Sequence, residues 1–164
     1  QDSVAVFVGG ALSTLPQVLQ DRLSAEASRI AGTLQRLGYF GRCSLDAVIF
    51  RTSDGADNIH WIECNGRWGG VSIPMTVADG LCAGQPAPTI SVVQELHPGR
   101  QMQTKELLQR LGDLLFRVGH DKTGIVVMSP PEHDNGAHIN LLSLSQTQVA
   151  CEETLNEAMR RILD

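Results

Sequence analysis

Apolar residues recur three or four positions apart in three parts of the chain. Such side chains lie on one face of a helix, so this spacing predicts three amphipathic helices. Gly38 and Gly119 follow the first two segments and are candidate C-caps, because glycine adopts the left-handed conformation that ends many helices. The predicted helices run from Leu23 to Leu37, from Thr104 to Val118 and from about Gln146 to Leu163. In the second helix, the residues expected to pack in the core are Leu107, Leu108, Leu111, Leu114, Leu115 and Val118.

Shorter apolar runs bounded by glycine, proline or other turn residues predict strands. The turn-rich sequence SDGADN, residues 53–58, separates two of these runs, which are therefore predicted to form an antiparallel hairpin. The segment from about Met75 to Gly80 is expected to be helical at most in part. The predicted strands are Ser3–Val8, Leu45–Phe50, Ile59–Asn65, Thr89–Leu96, Gly124–Ser129 and His138–Ser143.

These elements predict an α+β fold, in which an antiparallel sheet packs helices on one face. A segment rich in glycine and proline ends near residues 85–88 and marks the expected boundary between two domains. Residues 1–85 would form the first domain and residues 86–164 a small α/β domain. The chain begins at Gln1 and enters an apolar run at once, which is typical of a piece of a longer protein.

The composition limits the classes of function. Apolar residues make up 42% of the chain and charged residues 19%, as in soluble globular proteins. The net charge is −5 and no basic block is present, which argues against a nucleic-acid partner. No apolar run reaches the roughly 18 residues that span a bilayer, so no membrane partner is expected. The cysteines lack Cys-x-x-Cys spacing and are expected to be reduced thiols in a cytoplasmic protein: Cys43, Cys64, Cys82 and Cys151.

Polar residues occupy alternate positions in the sequence WIECNGRWGG, residues 61–70. A strand that only filled a core would not carry Glu63, Asn65 and Arg67 in this pattern. Because side chains alternate along a strand, Glu63 and Asn65 are expected to share a face with Trp61, and His60 to lie on the opposite face. The pattern therefore predicts either a binding face or a solvated strand face without a ligand.

The register of the hairpin favours a binding face. If Val48 pairs with Trp61, then Asp46 lies directly opposite Glu63. Opposed Cβ atoms are about 4.5–5.5 Å apart, and two carboxylates at that distance repel each other unless a cation offsets the charge. Two carboxylates and the amide oxygen of Asn65 form a hard ligand set, suited to Mg²⁺ or Mn²⁺. Because magnesium usually also binds substrate phosphates, this set predicts a nucleotide site.

The residues after the strand extend this prediction. Arg67 carries a planar, permanently charged group that fits the oxygens of a phosphoryl group or an acyl phosphate. Gly69 and Gly70 would let the backbone pass close to a ligand without side-chain obstruction.

GRCSLDAVIF (residues 41–50) and WIECNGRWGGVSIP (residues 61–74) together resemble the C-terminal half of an ATP-grasp ligase. In that superfamily a strand with the pattern Gly-x-x-x-x-Asp/Glu precedes a strand with the pattern Glu-x-Asn-x-Arg. The segments from Gly41 to Asp46 and from Glu63 to Arg67 match in spacing and order. A narrower resemblance, which includes LLQRLGDLLFRVGHDKTGIVVMSPP (residues 107–131), is to the pheganomycin-type peptide ligases.

The resemblance implies a role for each matched residue. Asp46 and Glu63 would bind magnesium ions, Glu63 bridging two of them, and Asn65 would bind the second ion. Arg67 would act catalytically by contacting the transferred phosphate or the acyl phosphate. The implied cofactors are ATP and Mg²⁺ or Mn²⁺, and the implied substrates are a small-molecule or peptide carboxylate and an amine.

The half that supplies lysines and the adenine pocket in ATP-grasp enzymes has no counterpart in this sequence. Its only lysines, Lys105 and Lys122, lie outside the matched segments. The chain alone is therefore expected to be inactive, with the longer protein acting as a ligase. The alternative is a non-catalytic association module derived from an ATP-grasp domain, and association between copies of the chain is left open.

Overall fold

A computed structural model of the chain describes residues 7–83 and 88–164. Within these ranges the fold is α+β, with four α-helices and antiparallel strand pairs. The helices are α1 (Gln17–Arg36), α2 (Ser72–Leu81), α3 (Thr104–Leu111) and α4 (Gln148–Leu163). The strands are β1 (Gly9–Ala11), β2 (Ser44–Arg51), β3 (Asp57–Asn65), β4 (Thr89–Pro98), β5 (Gly124–Val127), β6 (Glu132–His133) and β7 (Gly136–Ser145).

The described residues form two compact units. Ser13–Ser72 form the hairpin unit, which contains α1, β2 and β3. The sheet unit combines the described residues up to Leu12 with those in Ile73–Asp164. The predicted domain boundary at residues 85 and 86 lies outside the described residues and stays a prediction, and so does most of the predicted strand at residues 3–8. No helix in the described ranges is long and apolar enough to cross a membrane.

The sheet unit is built on strands in the order β1-β4-β7-β5, and β6 also pairs with β7. Each of these pairs is antiparallel, so the prediction of a small α/β domain is corrected to α+β for this unit. β4 and β7 pair over ten positions, from Thr89 opposite Ser145 to Pro98 opposite Gly136. The core packs side chains of this sheet against α3 and α4. Its buried members are Val93, Met102, Leu107, Leu111, Ile125, Ala137, Ile139, Leu141, Ala158 and Ile162.

Helix α3 is shorter than predicted. It ends at Leu111, because Gly112 has a φ of 49°, and a short 3-10 helix follows. The chain is then extended: the Phe116 N–H donates to the Ile125 carbonyl over 2.9 Å, and Leu115 forms a parallel bridge with Ile125. The predicted helix from Thr104 to Val118 is therefore wrong beyond the 3-10 turn.

Glu132 caps the N-terminus of α3. The Thr104 N–H donates to Glu132 Oε1 over 2.7 Å, and the Thr104 hydroxyl donates to Oε2 over 2.8 Å. Gln103, at the N-cap position, makes no side-chain cap hydrogen bond. The hydrogen bonds from the Thr104 backbone and hydroxyl lower the pKa of Glu132 below its ordinary value. A carboxylate at a helix N-terminus also interacts favourably with the helix dipole.

Glu132→Gln is expected to lower the thermal midpoint of unfolding at neutral pH. A carboxyl whose pKa is lower in the folded state contributes stability above its unfolded pKa, and this stability is lost as the pH falls through the folded pKa. The difference in midpoint between wild type and variant should therefore shrink below roughly pH 4.3, the ordinary pKa of glutamate. Circular dichroism melts from pH 7 to pH 3 measure it, with the exposed Glu153→Gln as control. A difference that does not vary with pH would contradict the capping role.

The hairpin unit packs α1 on one face of the β2–β3 hairpin. The Trp61 indole N–H donates to Glu26 Oε2 over 2.9 Å, and an Arg22 N–H donates to the Asp57 carbonyl over 2.8 Å. α1 begins at Gln17, six residues before the predicted start, and Pro16 precedes it.

Helix α1 ends at the glycine that the sequence predicted. Gly38 has a φ of 94°. Its N–H donates to the Gln35 carbonyl, and the Tyr39 N–H donates to the Leu34 carbonyl, each over 3.0 Å. This is the Schellman arrangement, in which glycine takes the left-handed position just after the helix. The prediction of a C-cap at Gly38 is therefore confirmed.

Candidate functional site

The candidate site lies on the β2–β3 hairpin. The predicted pairing of its two acids is confirmed, because Asp46 lies directly opposite Glu63. The rest of the predicted register is wrong by one residue, because Trp61 lies opposite Ala47 and not opposite Val48.

A β-bulge explains the shift. Ile62 is an extra residue on β3, between the position that pairs Trp61 and the position that pairs Glu63. Directly opposed residues share a face, so Trp61 and Glu63 lie on opposite faces of the hairpin, contrary to the prediction. His60 consequently shares the face of Glu63, where the sequence analysis expected it on the other.

The two faces of the hairpin differ in environment. α1 covers the face of Trp61. The hydrogen bond from the Trp61 indole N–H lowers the pKa of Glu26 below its ordinary value, and a hydrogen bond from Arg22 lowers it further. The other face is open to solvent. Its exposed residues are Asp46, Val48, Phe50, His60 and Glu63.

Two donors hold the Asp46 carboxylate. The Ser44 hydroxyl donates to Oδ1 over 3.1 Å, and the Asn65 amide donates to Oδ2 over 3.3 Å. Ser44 and Asn65 are themselves directly opposed in the hairpin. A Cβ atom at Gly69 would lie 3.6 Å from the Ser44 Cβ, so the chain after β3 passes close to this group. Ser44 was not among the predicted site residues, although its position two residues before Asp46 on one strand is a signal for a shared face.

Glu63 differs from Asp46 in having no partner. Its carboxylate makes no hydrogen bond or ion pair with another residue in the described ranges. Across those ranges, no group of three or more His, Cys, Asp or Glu side chains is placed to hold a metal ion. The acidic part of this face is therefore a pair of carboxylates, with the Asn65 amide and the Ser44 hydroxyl as further oxygen groups.

Arg67 lies in the loop that follows β3. Its guanidinium donates to the carbonyl of Trp68 over 3.2 Å, and its side chain is exposed. The Gly69 N–H donates to the Ser72 hydroxyl over 2.7 Å, so this amide is used within the loop and is not directed at a ligand. The Arg42 guanidinium lies 4.2 Å from the centre of the Trp68 ring. Arg42 and Trp68 were not among the predicted site residues.

Comparison of the chain with protein-family models, curated proteins and solved structures finds no match. The resemblance to ATP-grasp ligases therefore rests on the residues of the chain itself and stays a prediction.

Proposed function

We propose that the hairpin unit is the metal- and phosphate-binding half of the nucleotide site in an ATP-dependent carboxylate–amine ligase of the ATP-grasp type. The observation that carries the proposal is the exposed cross-strand pair of Asp46 and Glu63. Opposed carboxylates destabilise a hairpin. Neither has an arginine, lysine or histidine partner within the described residues, so a divalent cation is the simplest means of offsetting the repulsion.

The donor atoms suit a magnesium or manganese ion, since all of them are oxygens. Glu63 offers an unpaired carboxylate, and Asp46 keeps lone pairs beyond the hydrogen bonds that it accepts. Asn65 now directs its amide nitrogen at Asp46, so binding an ion through its oxygen would require the amide to rotate. A bound ion would supply positive charge to the phosphates of ATP.

The side chains of this chain would act through position and charge. Ser44 holds one oxygen of Asp46 in place, which reduces the reorganisation that ligand binding requires. Arg67 would bind oxygens of the phosphoryl group as a substrate carboxylate attacks the γ-phosphate and ADP leaves, which gives an acyl phosphate. An amine would then displace phosphate from the acyl phosphate, forming the amide bond. None of these residues would form a covalent bond to the substrate.

A complete nucleotide site of the ATP-grasp type also uses lysines, which the hairpin unit lacks although it carries six arginines. Residues 13–72 contain no lysine, and the acidic pair repels a polyphosphate in the absence of a metal ion. We therefore propose that a second wall, from outside these 164 residues, completes the site. A single wall recovers few of the contacts that offset the entropy lost on binding, so the chain alone is expected to be inactive.

Asp46→Asn is expected to weaken Mn²⁺ binding at least about tenfold, because it removes one of two anionic ligands. Titration of Mn²⁺ into the chain, followed by electron paramagnetic resonance, measures the free ion directly. Asp134→Asn is the matched control, since Asp134 is exposed and lies far along the chain in the sheet unit. Equal Mn²⁺ affinity in both variants and the wild type would exclude the metal site.

A second candidate function is association without catalysis. The observation that favours it is a pair of large apolar side chains on the carboxylate face, Val48 and Phe50, which are 49% and 46% exposed. Exposed apolar patches often mark binding surfaces. Under this alternative the acidic pair holds no ion, so the Mn²⁺ titration separates the two functions.

A further inference from the structure

Arg42 and Arg67 lie beside the same end of the hairpin. Ser44 and Asn65 form the last cross-strand pair of β2 and β3. Arg42 lies two residues before the first of them, and Arg67 two residues after the second. Both arginines therefore emerge beside the end of the hairpin that carries Asp46.

Trp68 contacts both guanidinium groups. Arg42 stacks on its indole ring, with the guanidinium carbon 4.2 Å from the ring centre, and Arg67 donates to its carbonyl oxygen over 3.2 Å. A stacked guanidinium is held in one plane, while the N–H donors around its rim remain available to an anion. Trp68 thus orders Arg42 without using its hydrogen-bonding capacity.

A tyrosine joins the two loops that carry these arginines. The Tyr39 hydroxyl donates to the Arg42 carbonyl. Its ring packs so closely on Gly66 that a Cβ atom there would lie 3.2 Å from it. The backbones before β2 and after β3 are therefore held together beside the two arginines.

Neither of these arginines has its charge offset by an acidic side chain in the part of the chain that the structure describes, although the net charge of the chain is −5. Within the described residues neither Arg42 nor Arg67 forms an ion pair with an acid. Six other arginines do so: Arg22, Arg51, Arg110, Arg117, Arg160 and Arg161. Two nearby guanidinium groups without acidic partners repel each other, and a bound anion would offset that repulsion.

We propose that Arg42 and Arg67 form a two-arginine site for a phosphoryl oxyanion, with Trp68 as its platform. This inference rests on the proposed function, to which it adds Arg42 as a second phosphate-binding residue. The planar fork of arginine matches phosphate oxygens in a bidentate manner, and two such forks can bind one dianion from two sides. An acyl phosphate and inorganic phosphate share this chemistry.

Trp68 provides a local reporter for the test, because the chain has one other tryptophan, Trp61. In a Trp61→Phe background, inorganic phosphate and acetyl phosphate are expected to change the Trp68 fluorescence in a saturable manner. Calorimetric titration in the wild-type background then gives the dissociation constants of the variants. Tighter binding of acetyl phosphate would identify the acyl phosphate as the natural ligand. Tighter binding of inorganic phosphate would identify the released phosphate as the natural ligand.

Arg42→Ala and Arg67→Ala are each expected to raise the dissociation constant about tenfold or more, as for loss of a charged hydrogen-bond donor. Arg42→Lys should bind phosphate more tightly than Arg42→Ala but less tightly than the wild type, because an ammonium group lacks the planar pair of donors of a guanidinium. Arg36→Ala is the control and should change affinity less than twofold. Arg36 is an exposed arginine whose side chain hydrogen-bonds the Thr33 hydroxyl on the same helix.

Unchanged affinity in Arg42→Ala would overturn the inference, as would the lack of any saturable phosphate binding by the folded wild-type chain. Circular dichroism confirms folding of each variant, and Arg42→Lys covers the case in which the alanine variant unfolds. The titration uses neither metal nor nucleotide. A wild-type chain that binds Mn²⁺ but shows no saturable phosphate binding would thus overturn this inference alone. Unchanged Mn²⁺ affinity in Asp46→Asn would overturn the metal site alone.

Discussion

Leu107→Ala is expected to lower the free energy of unfolding by about 2–5 kcal/mol, the usual range for a buried leucine. Leu107 is fully buried in the core that α3 forms with α4 and the sheet. Its truncation removes apolar contacts and leaves a cavity that the surrounding side chains fill only in part. Urea denaturation of the chain, followed by circular dichroism, measures the change.

Leu108→Ala is the matched control for this experiment. Leu108 is the next residue of the same helix and is 41% exposed. The two substitutions are chemically identical and change helix propensity equally, so their difference isolates burial. Leu108→Ala is expected to cost less than about 1 kcal/mol. Equal losses from the two variants would contradict the packing of α3 described above.

The contrast within this helix indicates how far apolar spacing can predict burial. The sequence predicted one apolar face that included both leucines and Val118, yet Val118 is 60% exposed. Leu115 does pack against the core, but from an extended segment beside β5 and not from a helix. An extended chain can bury the same residue as a helix, so spacing alone could not locate the end of α3 at Gly112.

The hairpin shows a different limit. Its two strands and the opposed acids were predictable from alternation and from the turn between them, whereas the bulge at Ile62 was not. One signal in the sequence does indicate the observed register near the turn: Arg51 and Asp57 flank the turn, lie opposite each other and form an ion pair at 2.9 Å. That pair sets a register one residue away from the predicted one. The bulge at Ile62 then brings Asp46 opposite Glu63 again. The predicted pairing of the acids was therefore correct, although the pairing of Val48 with Trp61 from which it was predicted was wrong.

Contacts between residues distant in sequence account for the remaining differences between the predicted and the observed site. Trp61 is held by Glu26, 35 residues earlier on α1, and this contact favours the orientation of Trp61 towards the helix. Arg42 reaches Trp68 across 26 residues. Neither neighbour can be identified from local periodicity. The sequence therefore indicated the acids and Arg67, but not the stacking of Arg42 on Trp68 or the face of His60.

Glu63→Gln is expected to reduce ADP release at least about a hundredfold in protein that carries both walls of the proposed nucleotide site. The substitution removes a negative charge but almost no volume. Glu63 is exposed and its carboxylate has no partner among the described residues. Removing its charge also relieves the repulsion with Asp46, so the thermal midpoint of unfolding is expected not to fall. A coupled assay of ADP, with the melting curve measured on the same sample, separates loss of chemistry from loss of fold.

The control for Glu63→Gln lies on the same face of the hairpin. His60 is exposed and shares that face because of the bulge at Ile62, but it has no role in the proposed chemistry. His60→Gln should therefore retain ADP release within about twofold, since it alters the polar surface without removing a metal ligand. The proposal requires the carboxylate of Glu63 in particular, because a neutral amide cannot offset the charge of a divalent cation. An amide is also a poorer bridging ligand between two cations than a carboxylate. Near-normal ADP release by Glu63→Gln, or an equal loss in His60→Gln, would show that the opposed acids are not the metal site.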